Sequence, residues 1–321
     1  VSEPKTISII APAYNEEGNL EEAHRRITAV METLPHRHEI IIVDNCSTDR
    51  TAQVSEAICA RDPRCRYFRF SRNFGAEVSL AAGIRHAQGD AIINVFTDLQ
   101  DPPEMIPEFV AKWEEGYDVV YGVVSTRSDA SWLKQRVAGF AYWLIHVLSD
   151  CRIPTHASDF RLITREVADA LSQCREQDRY LRGLVHWAGF RQIGVPYERQ
   201  SRQWGDTKAS FWWCVGFALN AVMSFSAAPL RLASYFGLVT CGLSVLLALV
   251  YLALWLFLSP PAGWTTIALI LLFQIGLQSL FIGIAGEYLA RTYQEAKGRP
   301  LWIIAKTINM EKVEKVGIRR G

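Results

Sequence analysis

The sequence predicts an α/β protein: a doubly wound parallel sheet, interfacial amphipathic helices, and a C-terminal hairpin of two transmembrane helices. Three observations predict it. Short apolar strands alternate with helical stretches from Thr6 to Tyr121, as in a sheet covered by helices on both faces. Acidic and amide residues gather where those strands end. Two apolar runs, Ser234 to Leu258 and Thr265 to Ala285, each reach the roughly 20 residues a bilayer demands.

The elements follow in order. Ile7 to Ala11 reads as a strand, and Asn19 to Leu34 has helical spacing. Glu39 to Asp44 is a continuous apolar run closed by an acid, as expected of a strand buried on both faces. Asp49 to Ala60 is helical, Arg66 to Phe70 extended, Ala76 to Gln88 helical, and Ala91 to Phe96 a further strand. Pro103 opens another helix that runs through Met105 to Glu115, before a strand over Asp118 to Tyr121. Trp132 to Leu148 and Phe211 to Phe225 carry aromatic and aliphatic stripes at helical spacing, the pattern of helices lying at a headgroup boundary.

This organisation divides the chain into a large domain at 1–229, a membrane hairpin at 230–290 with spans of about 234–258 and 265–286, and a tail at 291–321. Arg231 precedes the spans, and Arg291, Lys297, Arg299 and Lys306 follow them, while the turn Ser259 to Trp264 has no charge. The positive-inside rule then places the large domain and both termini in the cytoplasm, with a bacterial inner membrane as the expected location. Buried core helices of a soluble protein are the competing reading of the two runs. Net charge is +1, which gives no case for nucleic acid. Seven scattered cysteines form no CxxC pair and suit a reducing compartment without structural zinc. The polar start Val1 to Lys5 has no signal-peptide pattern.

Ligands of such sheets bind beyond the carboxyl ends of the strands. There lie Tyr14-Asn15-Glu16, Asp44-Asn45 and Asp98-Leu99-Gln100-Asp101. Asp98 and Gln100 offer a carboxylate and an amide oxygen two residues apart, a pair suited to a hard divalent cation bridging phosphates. A helix cap or turn is the plainer use of one such Asp.

Seven segments occur in order: Ala11-Pro12-Ala13-Tyr14-Asn15-Glu16-Glu17, Val43-Asp44-Asn45-Cys46-Ser47, Ser71-Arg72-Asn73-Phe74-Gly75, Asp98-Leu99-Gln100-Asp101-Pro102-Pro103-Glu104, Ser158-Asp159-Phe160-Arg161-Leu162, Gly205-Asp206-Thr207-Lys208 and Gly286-Glu287-Tyr288-Leu289. Together they resemble the inverting family-2 glycosyltransferases of GT-A (Rossmann-like) fold that load sugars onto polyprenyl phosphates. The resemblance implies a nucleotide sugar and a polyprenyl (undecaprenyl) phosphate as substrates, a lipid bilayer as setting, and a homo-oligomer. It implies Mg²⁺ or Mn²⁺ on Asp98 and Gln100, with Asp98 and Asp159 as catalytic residues. Pro12, Tyr14, Glu16, Asp44, Arg72 and Asn73 correspond to the donor pocket, Asp44 reading the base. Arg161, Arg202 and Lys208 correspond to the residues for the acceptor phosphate.

Two departures stand out. The family's Asp-x-Asp is here Phe96-Thr97-Asp98, and its Val-Asp-Asp-Gly-Ser is Val43-Asp44-Asn45-Cys46-Ser47. Losing a carboxylate weakens a site for a hard cation, which puts metal dependence in question and points to an unusual donor. Two other readings follow. One is a processive polysaccharide synthase, whose Gln-x-x-Arg-Trp is only approximated by Gln200-Ser201-Arg202-Gln203-Trp204. The other is a catalytically inactive scaffold or nucleotide-sugar sensor with Phe96 as its lesion.

Overall fold

Residues 4–124, 157–199 and 263–310, apart from 175 and 178, are described by a computed structural model, with scattered helical positions between 230 and 253. The chain runs β1 (Thr6–Ala13), α1 (Leu20–Met31), β2 (Arg37–Asp44), α2 (Thr51–Arg61), β3 (Cys65–Phe70), α3 (Ala76–His86) and β4 (Ala91–Asn94). A 3₁₀ turn at Pro103–Met105 leads into α4 (Ile106–Glu114), then β5 (Val119–Val124). Beyond residue 156 come β6 (Ala157–Thr164), α5 (Arg165–Gln173), α6 (Leu181–Trp187), β7 (Gln192–Tyr197), α7 (Trp264–Ala296) and β8 (Ile304–Ile308).

The strands form one sheet in the order β7-β5-β6-β4-β1-β2-β3-β8. Strands β1 to β4 are mutually parallel and bury almost every side chain, which is why they read as apolar runs rather than alternating ones. One core, with Leu20, Ile27, Met31, Ile58 and Phe109, seals the face under α1, α2 and α4. The other, with Leu80, Ile84, Leu171 and Leu184, seals the face under α3, α5 and α6. Helix α1 shows the cause locally: Leu20, Ala23, Ile27 and Met31 recur every three or four residues and are its buried stripe. Gly83 lets α3 lie close on β1, since a methyl there would run into Ile10.

The sheet corrects the all-parallel expectation. β6 is antiparallel to β4 and β5, and β8 is antiparallel to β3. Strand–helix–strand alternation implies parallel neighbours only where one crossover helix links them. β6 and β8 are not joined to their antiparallel neighbours by one crossover helix: β6 begins beside the end of β5, Ala157 pairing with Val123, and β8 follows α7. The segment 304–309 thus returns to the domain. Ile304 is buried in the core under α3, and Asn309 Nδ2 donates to the carbonyls of Cys59 and Cys65, both at 2.9 Å.

Among the described residues no helix is long and apolar enough to cross a membrane. The first expected span, 234–258, is described only in part; α7 covers the second. The expected interfacial segments 132–148 and 211–225 lie outside the described residues.

Candidate active site

The loops that leave β1, β2, β3 and β4 open at one edge of the sheet and are tied to one another. Asn15 Oδ1 accepts the Thr48 amide (2.8 Å), and the Glu16 amide donates to Thr51 Oγ1 (2.9 Å). Asn45 joins the second loop to the third: its Nδ2 donates to Asn73 Oδ1 (2.9 Å) and its Oδ1 accepts the Phe74 amide (2.8 Å). An ionised Asp has no proton to give Asn73, so the amide at position 45 has a physical reason. Backbone conformation marks the same edge. Asn15, Cys46 and Leu99, each in a loop after a strand, have φ of 58°, 62° and 55°, a region costly for residues other than glycine.

Six of the expected donor residues meet here. Pro12 is buried in β1, and its carbonyl accepts the Thr97 hydroxyl at 3.1 Å, linking the first loop to the fourth. Tyr14 is exposed, and Glu16 accepts Asn19 Nδ2 at 2.6 Å. Asp44 is fully buried at the end of β2: Oδ1 accepts the Ser47 amide (2.7 Å), Oδ2 accepts the Tyr67 hydroxyl (3.0 Å), and Arg69 lies 3.6 Å away. Burial and the Asp44 charge push the Tyr67 phenol well above its ordinary range, so it stays a donor. Arg72 is exposed with its guanidinium 4.2 Å over the Phe74 ring, and Asn73 stands beside it.

After β4 the side chains of Phe96, Asp98 and Gln100 are half-buried, while Thr97, Leu99 and Asp101 point inward. Asp98 Oδ1 accepts the Gln100 backbone amide at 3.2 Å, which curls the loop on itself within two residues. Asp101 is fully buried; Oδ1 is held by the Tyr197 hydroxyl and by Arg199 Nε (3.1 Å), and Oδ2 has no partner among the described residues. The donor set is all oxygen with a carboxylate and an amide, which fits Mg²⁺ or Mn²⁺. A second cluster, His24, Asp62 and Cys65, does not serve the strand-end loops: it lies where β3 begins, at the other edge. Arg64 already grips Asp62 there through Nε (2.9 Å) and Nη2 (3.1 Å).

Asp159 reaches the strand-end edge from β6. Arg182 Nε donates to its Oδ1 (3.2 Å), Arg182 Nη2 to its Oδ2 (2.6 Å), and Arg161 Nη2 to Oδ1 (2.9 Å). Burial alone would raise the carboxyl's pKa, but the charges of Arg182 and Arg161 outweigh it and hold it below its ordinary value. Glu77, in the first turn of α3, sits in the same cluster; burial and the Asp159 charge push it up to about 7. Arg161 is buried beneath Asp159, its Nη2 also donating to the Ser158 carbonyl (3.1 Å). Its contacts are those of a support for Asp159.

The structure thus brings Tyr14, Glu16, Asp44, Asn73, Asp98, Gln100 and Asp159 to one edge; Arg202 and Lys208 lie outside the described residues. Sequence reasoning missed Arg182, Glu77 and Arg199. Asp101 stood in a quoted motif, but nothing local signalled its pairing with Tyr197, 96 positions away.

Comparison with known proteins defines the class. The model of glycosyl transferase family 2 matches residues 8–172, from β1 to the last turn of α5. The glycosyltransferase YkcC of Bacillus subtilis is 39% identical over 305 residues, 95% of this chain and 94% of that protein. The SfII prophage-derived bactoprenol glucosyl transferase of Shigella flexneri is 35% identical over 302 residues, 94% and 98% of the two chains. Among solved structures, the glucosyl-3-phosphoglycerate synthase of Mycobacterium tuberculosis with Mn²⁺, UDP-glucose and phosphoglyceric acid is similar with a TM-score of 0.47. It is 19% identical and covers 68% of this chain and 78% of that one. The chain belongs to glycosyl transferase family 2.

Proposed function

We propose that the protein transfers a sugar from a nucleotide-sugar donor to a polyprenyl phosphate at the cytoplasmic face of a membrane, inverting the anomeric carbon. The observation that carries the reading is the meeting of the Asp98–Gln100 loop and the arginine-held Asp159 at one sheet edge. It occurs in a chain alignable along 94% of its length with a bactoprenol glucosyl transferase. In the transfer, an oxygen of the lipid phosphate forms a bond to the anomeric carbon. The bond from that carbon to the donor's diphosphate breaks, and its electron pair leaves with the nucleoside diphosphate. A phosphate is already anionic near neutral pH, so Asp159 orients the reacting groups and need not remove a proton.

Asp44 and the loops around Tyr14, Glu16 and Asn73 would hold the nucleotide. Asp98 and Gln100 would hold Mg²⁺ or Mn²⁺, which supplies neutralising charge for the departing diphosphate. Arg202 and Lys208, as the resemblance implies, would bind the acceptor phosphate. A membrane setting is supported by the two apolar runs and by the basic residues that flank them. It is supported also by α7, 33 residues long with Ile270, Leu271, Phe273, Ile275 and Ile282 exposed. The test is transfer of radiolabel from UDP-, GDP- and dTDP-sugars to undecaprenyl phosphate, with Mn²⁺ or with EDTA. One donor should label the lipid, and EDTA should suppress it; nucleotide binding without transfer from any donor would favour the sensor.

A further inference from the structure

We infer that Arg182 is a positioning residue for the transfer step: its guanidinium, laid side-on against Asp159, fixes the direction in which that carboxylate faces the reacting groups. The inference rests on the reading of Asp159 given above.

A carboxylate at a strand end can swing about two side-chain torsions, and one hydrogen bond leaves much of that freedom. The planar fork of an arginine removes it, because two parallel N–H groups must meet two oxygens at once. Arg182 makes that fork on Asp159 with Nε and Nη2, at 3.2 and 2.6 Å. Arg161 adds a bond from beneath, at 2.9 Å to Oδ1.

The fork itself is anchored. Arg182 is the second residue of α6, and the amide of Leu181, its neighbour, donates to Glu77 Oε2 at 3.0 Å. Glu77 therefore ties the start of α6 to the start of α3, and so sets where Arg182 stands. The charged or titratable groups facing Asp159 are Arg161 from its own strand, Arg182 from α6, Glu77 from α3, Arg199 from the segment after β7 and Asp101 from the loop after β4, with Tyr180 adjoining Arg161. Arg161, Arg182 and Arg199 exceed the carboxylates of Asp159 and Asp101 by one positive charge. The surplus is balanced when Glu77 is ionised and leaves one positive charge when it is protonated, a setting that favours an anionic acceptor beside Asp159.

The experiment uses the full chain in lipid nanodiscs with undecaprenyl phosphate and the donor the wild type accepts. It compares wild type, Arg182→Lys and Arg182→Met for kcat, donor KM, donor affinity by calorimetry, and the pH dependence of kcat. Arg182→Met should lower kcat by about 100-fold, the order lost when a reacting group is misplaced, while donor affinity stays at its wild-type value. The acid limb of its pH profile should move to higher pH, because one arginine fewer then opposes the burial of Asp159. Arg182→Lys should restore part of the rate, returning the charge without the fork. If wild type transfers sugar and Arg182→Met has the same kcat and acid limb, the positioning role is wrong and the transfer reading stands. It is wrong too if both variants lose donor affinity in step with kcat, the mark of a merely structural ion pair. If wild type transfers nothing, the transfer reading fails and takes the role of Arg182 with it.

Discussion

Phe96 and Asp159 share one face of the sheet: the antiparallel pairing of β4 and β6 ends with Asn94 opposite Arg161, two residues before Phe96 on one strand and two after Asp159 on the other. Phe96 packs against the core under α3, and Asp159 meets Glu77 of α3 and Arg182 of α6 on that face. The position where the family carries the first Asp of its Asp-x-Asp is therefore an apolar residue on the face that holds Asp159. Phe96→Asp would bring a like charge close, raise the carboxyl's pKa, and lower kcat more at pH 6 than at pH 8. Steady-state rates across that range check it. Turnover that rises at every pH would instead mark Phe96 as the lesion of a silenced enzyme.

The Tyr67–Asp44 bond is a second point of leverage. Tyr67→Phe removes a donor 3.0 Å from a fully buried carboxylate oxygen. The variant should lose about 1–3 kcal/mol of stability, and donor nucleotide should bind more weakly. Thermal melts with and without nucleotide measure both effects.

Cys46 occupies a conformation, φ 62°, that glycine adopts without strain. Cys46→Gly should therefore stabilise the fold by about 1 kcal/mol, the left-handed penalty outweighing the added chain entropy of the unfolded state. A melting temperature that falls would contradict it. The hydrogen bonds of Ser47 to Asn15 and Asp44 run through neighbouring atoms, so nucleotide affinity should hold.

His86 gives a pH signature. It is half-buried between Phe68 (5.4 Å) and Trp302 (6.3 Å), and burial, with the charges of Arg66 and Arg85, lowers its pKa to about 4. Above its ordinary value of 6.5 the ring is neutral in both states and its contribution is fully present. As pH falls from 6.5 toward 4, the unfolded chain takes up a proton that the folded one refuses, and stability declines. His86→Phe keeps the ring packing and should remove on the order of 1–2 kcal/mol of that decline. Thermal melts at pH 7 and pH 4.5 check it.

What was legible in the sequence follows from how local its causes are. β1, β2 and β4 announce themselves because burial on both faces makes them unbroken apolar runs, and the polar residues that end them mark the site edge. β8 does not: Ala305 and Lys306 are exposed, and its place beside β3 depends on a chain return of more than 230 residues, Lys306 bonding Glu56. The antiparallel direction of β6 was hidden for the same reason. Asp159 was legible from its motif, but its grip by Arg182, 23 positions on, exists only once α6 folds back over β6.

The most direct test follows label from the accepted nucleotide sugar into the organic phase, with undecaprenyl phosphate or undecaprenol as acceptor, for wild type, Asp98→Asn and Asp159→Asn. The account predicts lipid-linked label with the phosphate alone, and a loss of 100-fold or more, roughly the cost of a misplaced or uncharged reacting group, in both variants. Equal labelling of undecaprenol, or variants as active as wild type, would contradict it.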